Sequence, residues 1–166
     1  MPSKKEKNVG LSSLLEGLIN ARIEFILVGG LAAVIQGTPI TTVDVDIVHH
    51  QTAQNISKLL EFLKSIDARH RRVDDVVIKP TVEHLSGKGH SLFATRLGPL
   101  DILAFIEDGR SYEDLIDHTV TIEFHHHMIR VLDLETLIKL KRSSKDLRDR
   151  QRLPVLEETL RQLKQK

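Results

Sequence analysis

The stretch Phe25-Ile26-Leu27-Val28-Gly29-Gly30-Leu31-Ala32-Ala33-Val34-Ile35-Gln36-Gly37-Thr38-Pro39-Ile40-Thr41-Thr42-Val43-Asp44-Val45-Asp46-Ile47-Val48 decides the fold. Its first four residues form an apolar run short and bulky enough to be a buried strand. Gly29-Gly30 breaks that run, Leu31 to Gln36 suits a short helix, and Gly37-Thr38-Pro39 stops the helix. Val43 to Val48 is then a second, β-branched strand with two aspartates set into it. Strand side chains alternate, so Asp44 and Asp46 point to one face while Val43, Val45 and Ile47 point to the other. Two carboxylates so placed repel each other unless a cation sits between them. A hard divalent ion such as magnesium, which takes oxygen ligands and leaves positions open for phosphate, suits that place.

A Gly-Gly turn closing a strand, a short helix and then Asp-x-Asp on the next strand resembles the signature of the nucleotidyltransferase fold. Thirteen residues separate Gly30 from Asp44, which fits that pattern. The chain is similar to the small bacterial AbiEii-type toxin nucleotidyltransferases and related small nucleotidyltransferases. Their approach to the aspartates reads Gly-x-x-Arg-x-Thr-x-Asp-h-Asp, with h apolar. Gly37, Thr42, Asp44 and Asp46 match it, and Ile40 stands where that family has arginine. The run from Leu137 to Asp149 is similar to the family's C-terminal signature, a Leu-Ile-x-Leu-Lys helix followed by a turn and Lys-Asp opening a last helix. Ser143-Ser144 replaces the family's Gly-Arg-Pro turn.

At 166 residues the sequence reads as one domain, residues 1–166, with polar residues 1–8 frayed at its start. Hydrophobic content of 40% and charged content of 28% fit an ordinary globular protein. The lack of cysteine excludes disulfides, thiolate metal sites and cysteine nucleophiles, and fits a reducing compartment. No run approaches the roughly 18 apolar residues of a membrane span. Nothing near the start resembles a signal peptide, so a cytoplasmic protein with no membrane partner is expected. The net charge of +1 conceals an asymmetry: residues 139–166 carry +6 and residues 1–138 carry −5. A basic tail beside an acidic body suits an anionic ligand, although a solvated helix face has the same composition.

The rest of the chain follows from periodicity. Leu11 to Ala21 and Thr52 to Ile66 carry apolar stripes at helical spacing. Arg69-His70-Arg71-Arg72 reads as a turn leading into a strand from Val73 to Ile78. Gly87-Lys88-Gly89 lacks the spacing of a phosphate loop. Ser91 to Thr95 and Leu97 to Ile106 read as a strand pair. Asp101 lies in the apolar part of the second, where a buried carboxylate needs a cation, hydrogen bonds or an open strand end. Ser111 caps a short helix at Tyr112 to Ile116, and Asp114 completes its capping box. Val120 to Phe124 and Met128 to Leu132 form a hairpin with His125-His126-His127 at its turn, a polar tip rather than a zinc site. His50 shares the parity of Asp46. Asp133 caps a helix from Leu134. The elements together make an α/β (α+β) mixed sheet with flanking helices and a C-terminal helical pair.

The resemblance implies transfer of a nucleoside monophosphate from a nucleoside triphosphate to a hydroxyl. It assigns Asp44, Asp46 and Asp101 as catalytic carboxylates holding two magnesium ions, with Asp101 also as general base. It places the phosphates against Gly29, Gly30 and Thr42, with Lys141 and Lys145 as cationic contacts. The acceptor (transfer RNA, a protein or a small molecule) and the nucleotide stay open, and a cognate antitoxin is an implied partner. With aromatics at 4%, no stacking platform for RNA is visible. The alternative is a non-catalytic nucleotide- or partner-binding module on the same fold.

Overall fold

A computed structural model describes residues 4–165, with side chains from residue 10 onward. The elements run α1 (Lys4–Asn20), β1 (Phe25–Val28), α2 (Gly29–Ile35), β2 (Val45–His49), α3 (Ala53–Ser65), β3 (Arg69–His70) and α4 (Val82–Ser86). Then come β4 (Ser91–Ala94), β5 (Leu100–Leu103), α5 (Tyr112–Leu115), β6 (Thr119–Phe124), β7 (His127–Leu132), α6 (Leu134–Ser143) and α7 (Leu147–Lys164). Seven strands form one sheet in the order β3-β4-β5-β2-β1-β7-β6. β2 lies at its centre, antiparallel to β1 and parallel to β5. The mixed α/β architecture with a terminal α6–α7 pair agrees with the sequence reading.

Burial follows the strand alternation. Val45 and Ile47 of β2 and Leu100 and Ile102 of β5 are buried, in one cluster with Leu14, Leu15 and Leu18 of α1 and Leu59 and Leu63 of α3. Helix α2 packs on β1 and β2 and touches α6, which pairs with α7. The glycine turn is thereby held between the sheet centre and the C-terminal helices. Thr52 and Asp133 cap α3 and α6 through their side chains. Ser111 and Asp114 form the expected capping box at α5.

Three elements differ from the sequence reading. Helix α1 begins at Lys4 rather than near Leu11. The frayed segment expected at residues 1–8 falls on residues 1–3, outside the described set, and on Lys4–Asn8, where only the backbone is described. The strand expected at Val73 to Ile78 is irregular chain, and the strand is instead the preceding Arg69–His70. Local bonds account for this. Arg72 donates twice to the Asp74 carboxylate, which also accepts from the Val76 N–H, so side chains hold the backbone in a turn a ladder would need to open. Val73, Val76 and Val77 are left exposed.

Two buried polar side chains fasten the lower end of the sheet. Asn55 accepts from the Glu24 N–H at 2.7 Å and donates to the carbonyls of Glu24 and His50 at 2.9 and 2.8 Å. His49 is 2% exposed, and its Nε2 lies 2.7 Å from the Leu85 carbonyl oxygen. His50 lies at this end, stacked on Tyr112 and paired with Glu24 and Glu113, so its partners are not the aspartates whose parity it shares.

Burial pushes the His49 pKa below its ordinary value, against the pull of the two facing carbonyls. The fold therefore favours the neutral ring, and the unfolded chain takes up a proton that the folded chain refuses. The resulting penalty is absent above about pH 6.5 and grows as pH falls below it. Urea melts between about pH 7 and pH 5 should show a shallower loss of stability for His49→Gln than for the wild type. Equal slopes would show that the ring protonates freely in the fold.

Candidate active site

The register of the central strands builds the site. In the β2–β5 pair Asp46 lies directly beside Asp101, and in the β1–β2 pair it lies opposite Val28, the last residue before the glycine turn. Neighbouring strands are about 4.8 Å apart, so in-register side chains on one face touch. Asp44 precedes the first residue of β2 by one and keeps the parity of Asp46. One carboxylate oxygen from each of Asp44, Asp46 and Asp101 lies within 4.8 Å of the others. The structure thus brings together all three aspartates picked out from the sequence, although Asp101 is more than fifty residues from the other two.

Gly29 makes this convergence possible. Its φ is +70°, a conformation that side chains other than glycine's rarely adopt. A Cβ built on it would fall 2.1 Å from Asp46 Oδ2. The backbone of the turn therefore lies directly against the carboxylate. A Cβ on Gly30 would fall 3.0 Å from Thr42 Oγ1 and 3.7 Å from Arg152 Nη1. Asp46, the two glycines, Thr42 and Arg152 form one continuous surface.

The electrostatics are those of a site short of positive charge. Burial, the Asp101 carboxylate and Asp44 push Asp46 up to about 7, with Arg71 pulling the other way. Burial and then Asp101 also raise Asp44, again opposed by Arg71. Asp46 Oδ1 is buried without a hydrogen-bond partner among the described residues. Three crowded carboxylates with one oxygen unsatisfied fit a hard divalent cation. Among the described residues a cation already meets the cluster: the Arg71 guanidinium donates to Asp101 Oδ1. The sequence reading took Arg71 for a turn residue. Its position is set by the Arg71 N–H, which donates to the Leu92 carbonyl, while Leu92 sits opposite Asp101 in the β4–β5 ladder.

The C-terminal pair brings further charge. Lys141 Nζ donates to Asp149 Oδ1 at 3.0 Å, and Ser144 Oγ donates to Asp149 Oδ2 at 2.7 Å. Burial works to raise Asp149, but these two bonds and the charges of Lys141 and Arg152 outweigh it and hold the carboxyl below its ordinary value. Arg152 Nη2 donates to the Thr41 carbonyl at 3.1 Å. Lys145 is exposed on the turn between α6 and α7. A cleft of about 540 Å³ opens beside Lys141 and Asp149 toward Asp108 and Arg110, and none of the three aspartates lines it. Among the described residues the histidine turn is exposed and joins no metal-binding cluster.

No protein-family model and no curated protein matches the chain. Solved structures do. The lincosamide antibiotic adenylyltransferase LnuA with lincomycin bound matches at a TM-score of 0.60 and 16% identity, over 95% of this chain and 98% of that one. A Thermotoga maritima protein described as a candidate nucleotidyltransferase matches at 0.54 and 20% identity, over 99% and 97%. An antigenic nucleotidyltransferase-like protein from Paracoccidioides brasiliensis matches at 0.54 and 16% identity, over 93% and 76%. The chain has the nucleotidyltransferase fold. No helix among the described residues is long and apolar enough to cross a membrane.

Two substitutions test this geometry in the metal-free protein. Above about pH 7, where Asp46 is ionised, Asp46→Asn removes one of three repelling charges and supplies an amide that can donate to Asp101. It should stabilise by about 1 kcal/mol, a rise in Tm of roughly 2–4 °C for a chain of this size. Gly29→Ala must place a methyl group on the Asp46 carboxylate from a left-handed backbone. It should cost at least about 1–2 kcal/mol, a fall of roughly 4 °C or more by calorimetry. A neutral or stabilising Gly29→Ala would show that the turn does not rest on Asp46.

Proposed function

We propose that the protein is a magnesium-dependent nucleotidyltransferase that moves a nucleoside monophosphate from a nucleoside triphosphate to a hydroxyl acceptor. The observation that carries this reading is the in-register contact of Asp46 with Asp101, with Asp44 beside them, at the edge of the Gly29-Gly30 turn. The fold shared with LnuA over nearly the whole of both chains supports it.

Asp44 and Asp46 would hold two magnesium ions between them, and Asp101 the one nearer the acceptor. Bound there, the ions neutralise charge on the α-phosphate and on the departing pyrophosphate and make the acceptor hydroxyl more acidic. The residues of the chain do the rest. Asp101 accepts the hydroxyl proton as the acceptor oxygen bonds to the α-phosphorus and the bond to the β-phosphate oxygen breaks. Gly29 and Gly30 keep side chains away from the phosphates, and Thr42 walls the turn. Lys141 contributes positive charge from α6, with Lys145 farther out on the turn. Arg71 pairs with Asp101 and offsets part of the negative charge of the three carboxylates.

The AbiEii-like motifs support a toxin with a cognate antitoxin in the cytoplasm and an RNA or protein acceptor. A small-molecule hydroxyl is the acceptor class suggested by the lincomycin bound to LnuA.

The test is transfer of label from each of four α-labelled nucleoside triphosphates, with magnesium, into total RNA, total protein and a panel of hydroxylated small molecules that includes lincomycin. Wild-type protein should label one acceptor class. Asp44→Asn and Asp101→Asn should lower the rate about a hundredfold or more. Magnesium-dependent nucleotide binding with no transfer to any class would instead identify a binding module. Neither binding nor transfer would refute the reading altogether.

A further inference from the structure

We propose that Arg152 is the triphosphate-reading residue of this site, supplying from α7 the cation that the approach to the aspartates lacks at Ile40. The inference rests on the nucleotidyl-transfer reading and names the residue that distinguishes a triphosphate from a monophosphate.

Ile40 is committed elsewhere: it is partly buried and packs against the core, and the residues between Gly37 and Asp44 include no cation. Arg152 reaches that approach from a distant part of the chain. Its Nη2 is anchored on the Thr41 carbonyl, 111 residues away in sequence, and its Nη1 faces Gly30. The anchor uses one N–H of a five-donor fork, and a bare glycine lies in front of another part of it. A guanidinium held beside a glycine backbone is geometrically suited to two oxygens of a phosphate.

The position along the site fixes which phosphates it would meet. A Cβ on Gly29 would meet Asp46, and one on Gly30 would stand 3.7 Å from Arg152 Nη1. The two residues are adjacent, one Cα–Cα step of about 3.8 Å. Acid for the metal-bound end and cation for the far end thus lie at opposite ends of a two-residue floor. A monophosphate seated at the aspartates stays at the first end, whereas a triphosphate extends over the floor to the second. Asp149 pairs with Lys141 and lies three residues before Arg152 on α7, so a carboxylate offsets the positive charge of both.

Binding measures this directly. Calorimetric titration with magnesium and each nucleoside triphosphate, and with the matching monophosphate, compares wild type, Arg152→Gln and Arg152→Lys. Wild type should bind a triphosphate more tightly than its monophosphate. Arg152→Gln should lose about tenfold or more in triphosphate affinity with monophosphate affinity unchanged, and Arg152→Lys should recover part of the loss. Melting without nucleotide reports whether the Thr41 anchor matters for folding. Equal weakening of both nucleotides, or undiminished triphosphate affinity in Arg152→Gln, would overturn the inference and leave Arg152 a structural clasp while nucleotide binding stands. Wild-type protein that binds no nucleotide would remove the nucleotidyl-transfer reading and this inference with it.

Discussion

Asp46 and Asp101 stand side by side on parallel central strands, and the rest of the molecule is arranged around that unfavourable contact. Like charges on adjacent strands are destabilising, and partial burial strengthens the repulsion by lowering the local dielectric. The fold does not relieve it by distance, because the flanking Val45, Ile47, Leu100 and Ile102 are buried and fix the register. It relieves it in part with charge, through Arg71, which lies just past the end of β3 and pairs with Asp101. A carboxylate cluster built this way carries uncompensated repulsion, and a divalent cation placed there would relieve it.

Arg71 and Arg152 come to the site by different routes, and the difference bears on what each can do. Arg71 sits where β3 gives way to an exposed irregular segment, and its side chain ends on a carboxylate that the proposed chemistry needs free. It suits a counter-ion to that carboxylate. Arg152 is rooted in an eighteen-residue helix, fastened to the Thr41 carbonyl, and neighboured by Asp149, itself fixed by Lys141 and Ser144. It suits a group that stays and orients a ligand. One arginine is therefore a counter-ion and the other a wall.

How much of this the sequence revealed depends on the range of the interaction. The spacing of Asp44 and Asp46 is a local fact, and alternation along a strand is enough to place them on one face. The glycine turn was legible for the same reason, although the contact of Gly29 with Asp46 is a consequence of strand pairing. Asp101 was singled out as an acid in an apolar run, yet its register beside Asp46 depends on β2 and β5 pairing across more than fifty residues, which no periodicity contains. Arg71 was hidden because Val73 to Ile78 has strand composition. The Arg72–Asp74 bonds, formed two residues apart, win over that composition and shift the strand forward. Arg152 gave no signal, since one arginine among the basic residues of a terminal helix has nothing local to distinguish it.

The charge asymmetry along the chain takes on a physical meaning once the fold is known. Composition alone allowed the basic C-terminal segment to be a solvated face, and much of it is: Arg142, Arg148 and Arg161 are exposed, and Arg142 and Arg161 pair with nearby glutamates. Among the described residues Lys141 and Arg152 are partly buried: Lys141 is paired with Asp149, and Arg152 lies beside Gly30 of the turn. The acidic body and the basic tail therefore meet at two glycines, with the Asp46 carboxylate against Gly29 and the Arg152 guanidinium beside Gly30. A ligand that matches this must carry a cation-binding group at one end and dense negative charge at the other. A metal-bound polyphosphate has that distribution, whereas a neutral metabolite or a lone anion satisfies only half of it.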